Sequence, residues 1–162
     1  SLKYTRWKEK FYKTLESSYK PSPNFESTYS LIKSVFDKEY ISIAGIAVNS
    51  VVAIASHLGL KTKFSVSSLN NYFNTCLKSQ ERVIDICIKE KATHYINPVG
   101  GVMLYSKEAF RSAGVKISFL QPRPVVYRQF KPSFVSNLSI IDVLMFNSID
   151  ETRQFIDQYE LI

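Results

Sequence analysis

Two cations and a glycine-rich turn are the residues here best suited to chemistry. Lys78 and Arg82 stand four positions apart where a helical pattern starts, and an apolar run from His94 ends in Asn97-Pro98, then Gly100-Gly101. Glycine lets main chain approach a ligand closely, and proline ends a strand ladder. A helix start carries free N–H groups and the positive end of the dipole, which favour an anion and disfavour exposed cations by about 0.3–1 kcal/mol each. Cations held against that field point to a bound negative group. Lys78, Arg82, Asn97 and the backbone of Gly100 and Gly101 thus make a candidate phosphate or carboxylate site, with Tyr105 and Tyr127 as walls. A solvated Lys78, and an Arg82 paired with Glu81 or Asp85, would explain the same pattern without a ligand.

Other chemistries find no motif. GxSxG, GxxxxGK[ST] and HExxH are all absent, so no catalytic residue is assigned and neither metal nor cofactor is expected. His94, on a strand, reads as a core or edge histidine. Ser139-Ile-Ile-Asp142 has capping-box spacing at the start of an apolar helix, and Asn147 fits a helix terminus. Tyr127 and Gln129 fall on a loop, where pocket lining and plain packing are both open.

The elements that must position these residues follow from periodicity. Thr5 is placed to cap a helix with Trp7, Phe11, Leu15 and Tyr19 on one face, ended by Pro21-Ser22-Pro23-Asn24. A second helix is expected over 27–36. A third, over 42–58, is apolar nearly all round, with Asn49 read as an interhelical hydrogen bond and Gly59 as its stop. Residues 61–66 then alternate polar and apolar like a strand, and a helix over 80–90, a strand over 93–97, a helix over 106–113 and a strand over 115–120 follow. This predicts an α/β fold: a small three-stranded parallel sheet (βαβαβ) with right-handed crossovers, several packed helices, and the 42–58 helix laid on the sheet. Ligands bind such sheets beyond the carboxyl ends of the strands, here Ser67-Ser68, Asn97 to Gly101 and Gln121. A proline-punctuated loop over 121–137 and helices over 139–146 and 150–159 complete the chain. The sheet's open edges are expected to be covered by a second copy or by the terminal helices.

With 162 residues, the chain reads as a single domain, helical over 1–60, α/β over 61–120, with a loop and terminal helices over 121–162. Cys76 and Cys87 fall on one helical region without metal-binding spacing and read as reduced thiols. The net charge is +7, and six lysines and arginines against two glutamates in residues 1–20 place more than half the excess around the first helix. The arginine and aromatic motifs of common nucleic-acid modules are missing, so this is read as a solvated face and no nucleic-acid partner is expected. No membrane span or signal sequence is visible, and the expected compartment is the cytoplasm.

A family resemblance rests on many spaced positions. Ser67-Ser68, Lys78, Arg82, Ala92-Thr-His-Tyr-Ile-Asn97, Gly100-Gly101, Tyr105, Phe110, Ala113-Gly-Val115, Tyr127, Phe134, Leu138-Ser-Ile-Ile-Asp142 and Phe146-Asn147 resemble the carboxy-terminal part of the WbqC-like family. Tyr4-Thr-Arg-Trp7, Lys13-Thr-Leu-Glu-Ser-Ser-Tyr19 and Phe25 resemble its middle segment. The family's opening strand, Gln-Pro loop and Gly-Tyr turn have no counterpart, which implies a truncated or divergent member. Asn97-Pro98-Val99 also replaces the family's small residue and glycine. The resemblance implies a role in bacterial surface polysaccharide (O-antigen) biosynthesis, with acyl or aminoacyl transfer to an activated sugar. It adds Asp142 to the ligand-binding set. The implied ligand is an anionic small molecule such as a nucleotide sugar or acyl donor. The alternative is a non-catalytic module that docks on a glycosyltransferase or another chain, and the expected protein partner is a glycosyltransferase or, in a homo-oligomer, a second copy.

Overall fold

The computed structural model describes residues 2–131 and 133–162, with side chains from residue 6 onward. Its elements are α1 (Leu2–Tyr19), α2 (Phe25–Phe36), α3 (Ile43–His57), α4 (Ser79–Lys89), β1 (His94–Pro98), α5 (Lys107–Ser112), β2 (Lys116–Pro122), α6 (Ile140–Phe146), α7 (Ile149–Ile156) and β3 (Tyr159–Leu161). A 3-10 turn over Val99–Gly101 follows β1. These divide into two compact units: Ser1–Phe64 with Val125–Asp157, and Ser65–Pro124 with Gln158–Ile162.

The first unit is helical. Its core joins Leu15 of α1, Phe25 and Ile32 of α2 and Met145 of α6, with Phe11, Tyr19, Tyr29 and Phe146 packed around them. Residues 20–24 turn the chain between α1 and α2, and this turn docks on α6. A helix end leaves carbonyls unsatisfied. Here Asn24 N–H donates to Met145 O (3.1 Å), Asn24 Nδ2 to Asn147 O (2.8 Å) and Thr28 Oγ1 to Leu144 O (3.1 Å). The helix-breaking prolines therefore place a polar turn under otherwise orphaned acceptors. Thr5 lies inside α1, which begins at Leu2, so it is not the cap. Ser42 caps α3, accepting from Gly45 N–H at 3.2 Å. Asn49 bonds Gly45 O within the same helix (2.9 Å), not a neighbouring helix as expected. Gly59 (φ 65°) ends α3 in a left-handed residue, with Leu60 N–H reaching back to Ala55 O.

The second unit holds the sheet, in the order β1-β2-β3. β1 and β2 are parallel, with His94 opposite Lys116 and Pro98 opposite Leu120. β3 is antiparallel to β2, so the sheet is mixed and not all parallel. The expected strand over 61–66 does not form. Residues 59–65 are exposed throughout, so the Phe64/Val66 alternation has no face to bury and no ladder to join. Only one βαβ crossover remains, from β1 through α5 to β2, and α4 simply precedes β1. α3 belongs to the helical unit, where it packs on α2 and not on the sheet. The last predicted helix stops at Ile156, capped by Asp157, and the chain returns as β3. An edge of β2 is thus covered by a strand, where a second copy or the terminal helices were expected.

Val115, just before β2, and Ile117 and Phe119 on it alternate on the face that meets Cys87 of α4 and Phe110 of α5, and Tyr95 of β1 stacks on Phe110 at 5.4 Å. Burial pushes the Cys87 thiol up. Cys76 sits exposed in a loop, so the two cysteines do not share a helix.

Candidate functional site

The loops at the starts of α4 and α5 meet through one side chain. Gln80 Oε1 accepts from Ser106 N–H at 3.0 Å, while Ser106 caps α5 by accepting from Ala109 N–H at 3.3 Å. Between them lies an open cleft of about 580 Å³, lined by Lys78, Ser79, Gln80, Glu81 and Met103 to Ser106. Lys78 is the exposed residue before α4, with extended backbone and no capping bond. Ser79 has φ 49°, a left-handed conformation that costs a non-glycine residue roughly 1–2 kcal/mol.

Asn97, Gly101 and Tyr105 pack together beside this cleft. Asn97 Oδ1 accepts from the Tyr95 hydroxyl (3.0 Å), and its Nδ2 donates to Pro98 O (3.1 Å). That fold of the Asn97 side chain brings it over Gly101, where an added Cβ would collide with the Asn97 amide and lie 3.2 Å from the Tyr105 ring. Gly101 is therefore glycine for lack of room. Gly100 is exposed, and an added Cβ there would meet nothing within 4 Å. Burial first, then the Tyr105 hydroxyl, pushes Tyr95 up to about 12, which keeps it a donor to Asn97.

Arg82 is half-buried on α4 and does not line the cleft with Lys78. Asp85 bonds Lys89 (2.8 Å) and Asn74 (2.6 Å), so it is not the partner proposed for Arg82. Glu81 lines the cleft beside Lys78 and offsets part of its charge. The arrangement suits a small anion with apolar or aromatic parts, seated against Lys78, Met103 and Tyr105.

Tyr127 and Asp142 lie in the other, helical unit and form a different constellation. Asp142, on α6, is 4% exposed and accepts three bonds: from Tyr19 (3.0 Å), Tyr127 (2.6 Å) and Gln129 Nε2 (3.0 Å). Gln129 also exchanges two bonds with the Val135 backbone, closing the 129–135 loop on itself. Tyr127 packs its ring between Phe134 and Phe155. Burial, then the bond to Asp142 and its charge, pushes Tyr19 up to about 12, and Tyr127 rises to about 12 for the same reasons, with Gln129 opposing. Both phenols thus stay protonated donors across the ordinary pH range.

Sequence reasoning did not place Tyr19, Ser79 or Gln80 in a site, and it left Gln129 open between pocket lining and packing. Tyr19 looks like the end of the α1 apolar stripe, and only its hydroxyl at the helix terminus marks it as a long-range donor. Ser139 does cap α6, through Ile141 N–H (3.3 Å), and Asn147 is the C-cap. His94 Nε2 is buried with no hydrogen-bond partner among the described residues. Among those residues, no cluster of histidine, cysteine or acidic side chains could hold a metal, and no helix is long and apolar enough to cross a membrane.

The sequence profile described as the WbqC-like protein family matches residues 1–154 of the 162. No curated protein and no solved structure matches the chain.

Proposed function

The chain belongs to the WbqC-like protein family, and on that premise we propose that it binds an activated, anionic donor for bacterial surface polysaccharide (O-antigen) biosynthesis. The donor is a nucleotide sugar or an acyl or aminoacyl compound, and the group transferred is acyl or aminoacyl. The observation that carries this reading is Lys78 on an open cleft, next to a Ser79 backbone held in a left-handed conformation. Local backbone strain of this kind concentrates at functional sites. In the proposed complex Lys78 faces the negative group, the exposed Gly100 backbone offers close approach, and Asn97 and Gly101 fix the Tyr105 wall. Arg82 supplies a weaker, longer-range attraction from α4. Tyr127 and Asp142, in the helical unit, are given no contact with the donor in this reading.

Calorimetry with a panel of nucleotide sugars tests it. Lys78→Ala weakens the bound member about tenfold, as loss of a charge-assisted contact should, and Arg82→Ala weakens it less. Equal affinity for wild type and Lys78→Ala sinks the reading.

A second reading, a non-catalytic module for a glycosyltransferase, has its own support. α3 leaves Val48, Val51 and Val52 at 36%, 54% and 37% exposure, an apolar face of the sort that marks protein contacts. Under that reading Val51→Glu abolishes co-purification with the partner and leaves nucleotide-sugar binding unaltered.

A further inference from the structure

A second cleft in the sheet unit lies at the turn from α5 into β2. Its volume is about 480 Å³, and Lys107, Arg111, Gly114, Val115, Lys116 and Ile117 line it. Val115 and Ile117 are core residues, 3% and 7% exposed, so the floor is apolar and fixed by the sheet. Gly114 adopts φ 75° to end α5, with Val115 N–H reaching back to Phe110 O at 3.0 Å. The space beside its Cα is empty to 4 Å, which leaves the turn open to a ligand.

All three polar side chains around that floor are cations. Lys107 and Arg111 are at i, i+4 on α5, a spacing at which like charges repel. Lys116 adds a third charge from β2. The nearest compensation is Glu108, 3.9 Å from Arg111, and both side chains are more than three-quarters exposed, so this pair offsets little. Lys107 is held toward the sheet, its Nζ 5.9 Å from the centre of the Phe119 ring. Three like charges thus ring one concave, apolar-floored opening, with no acid in its lining.

We propose that this cleft binds a multiply charged phosphoryl anion, its charges met by Lys107, Arg111 and Lys116 and its less polar part resting on Val115 and Ile117. The site is separate from the Lys78 cleft and stands whether or not that cleft binds a donor. The phosphoryl group belongs either to a free phosphorylated metabolite or to a lipid headgroup.

The test uses the Lys78→Ala chain, so that binding at the other cleft is weakened, with inorganic pyrophosphate followed by amide NMR and, in parallel, sedimentation with phosphatidylcholine vesicles containing phosphatidic acid. The expected result is saturable shifts confined to residues 107–117, with affinity lowered about tenfold by Arg111→Ala or Lys116→Ala. All three side chains are exposed, so these variants keep the fold. Pyrophosphate binding without vesicle binding assigns a free metabolite. Vesicle binding lost in both variants, without pyrophosphate binding, assigns a headgroup. If neither probe binds, or if both variants bind as tightly as the parent, the proposal is overturned.

Discussion

The Tyr19 hydroxyl donates to Oδ2 of Asp142 at 3.0 Å, across 123 residues of sequence, and so ties the end of α1 to the buried face of α6. Tyr127 does the same to Oδ1 from the loop. Removing either hydroxyl leaves a buried carboxylate short of a donor, at a cost of about 1–3 kcal/mol. Tyr19→Phe and Tyr127→Phe should each lower the urea midpoint by that measure. The double variant should depart from additivity, because both donors share one acceptor. Midpoints equal to wild type would make the network incidental.

The same network sets an alkaline limit. A phenol whose folded pKa lies above its ordinary value of 10 contributes stability that is complete below pH 10 and lost as pH rises through the folded value, here about 12 for Tyr19 and Tyr127. Tyrosinate absorbance should therefore show late-titrating phenols that join the ordinary class once the chain is unfolded in urea. Asp142→Asn removes the charge and should bring both values down. A single titration near 10 in the folded protein would contradict the geometry.

The adjacent glycines should behave differently. Gly101→Ala must push aside the Asn97 amide and crowd Tyr105, costing about 1–3 kcal/mol as overpacking does. Gly100→Ala faces open space and should stay within about 0.5 kcal/mol of wild type. Thermal unfolding of the two variants separates these outcomes, and equal melting temperatures would refute the packing account.

Helices α3, α4 and α5 end alike, in a left-handed residue followed by a backbone bond to the last turn: Gly59, Lys91 and Gly114. Lys91 (φ 54°) is the odd one, a side chain where glycine is favoured. Lys91→Gly should stabilise the sheet unit by about 0.5–1 kcal/mol, the strain relieved less the entropy glycine adds to the unfolded chain. Gly59→Ala should do the reverse and by more, because the Arg153 guanidinium lies 2.5 Å from the new Cβ. Chemical denaturation reads both signs.

What could be read from sequence was what is local. Ser42, Ser106 and Ser139 cap the helices that their neighbours' periodicity announced, and Gly59 and Gly114 stop theirs. The error over 61–66 came from an alternation whose apolar side has nothing to cover it. Three residues, Tyr159–Leu161, are too few for a periodic signal, and only the ladder to β2 makes them a strand. The Asp142 network stayed hidden because its donors come from positions 19, 127 and 129, and no spacing rule joins them. Lys78 and Tyr105 could be paired in advance because both sit where helix starts flank the end of a strand.

Because the chain leaves β2 at Pro122, builds α6 and α7 in the other unit, and only then supplies Tyr159–Leu161, both units are interleaved along the sequence. During translation β2 can pair with β1 at once, but its other edge waits for about 37 more residues, roughly 2–7 s at 5–20 residues per second. Through that interval the nascent sheet offers unpaired peptide groups beside Phe119 and Leu120. A ribosome paused between positions 125 and 157 would hold two half-built units at once, and this is the window in which a chaperone would be needed.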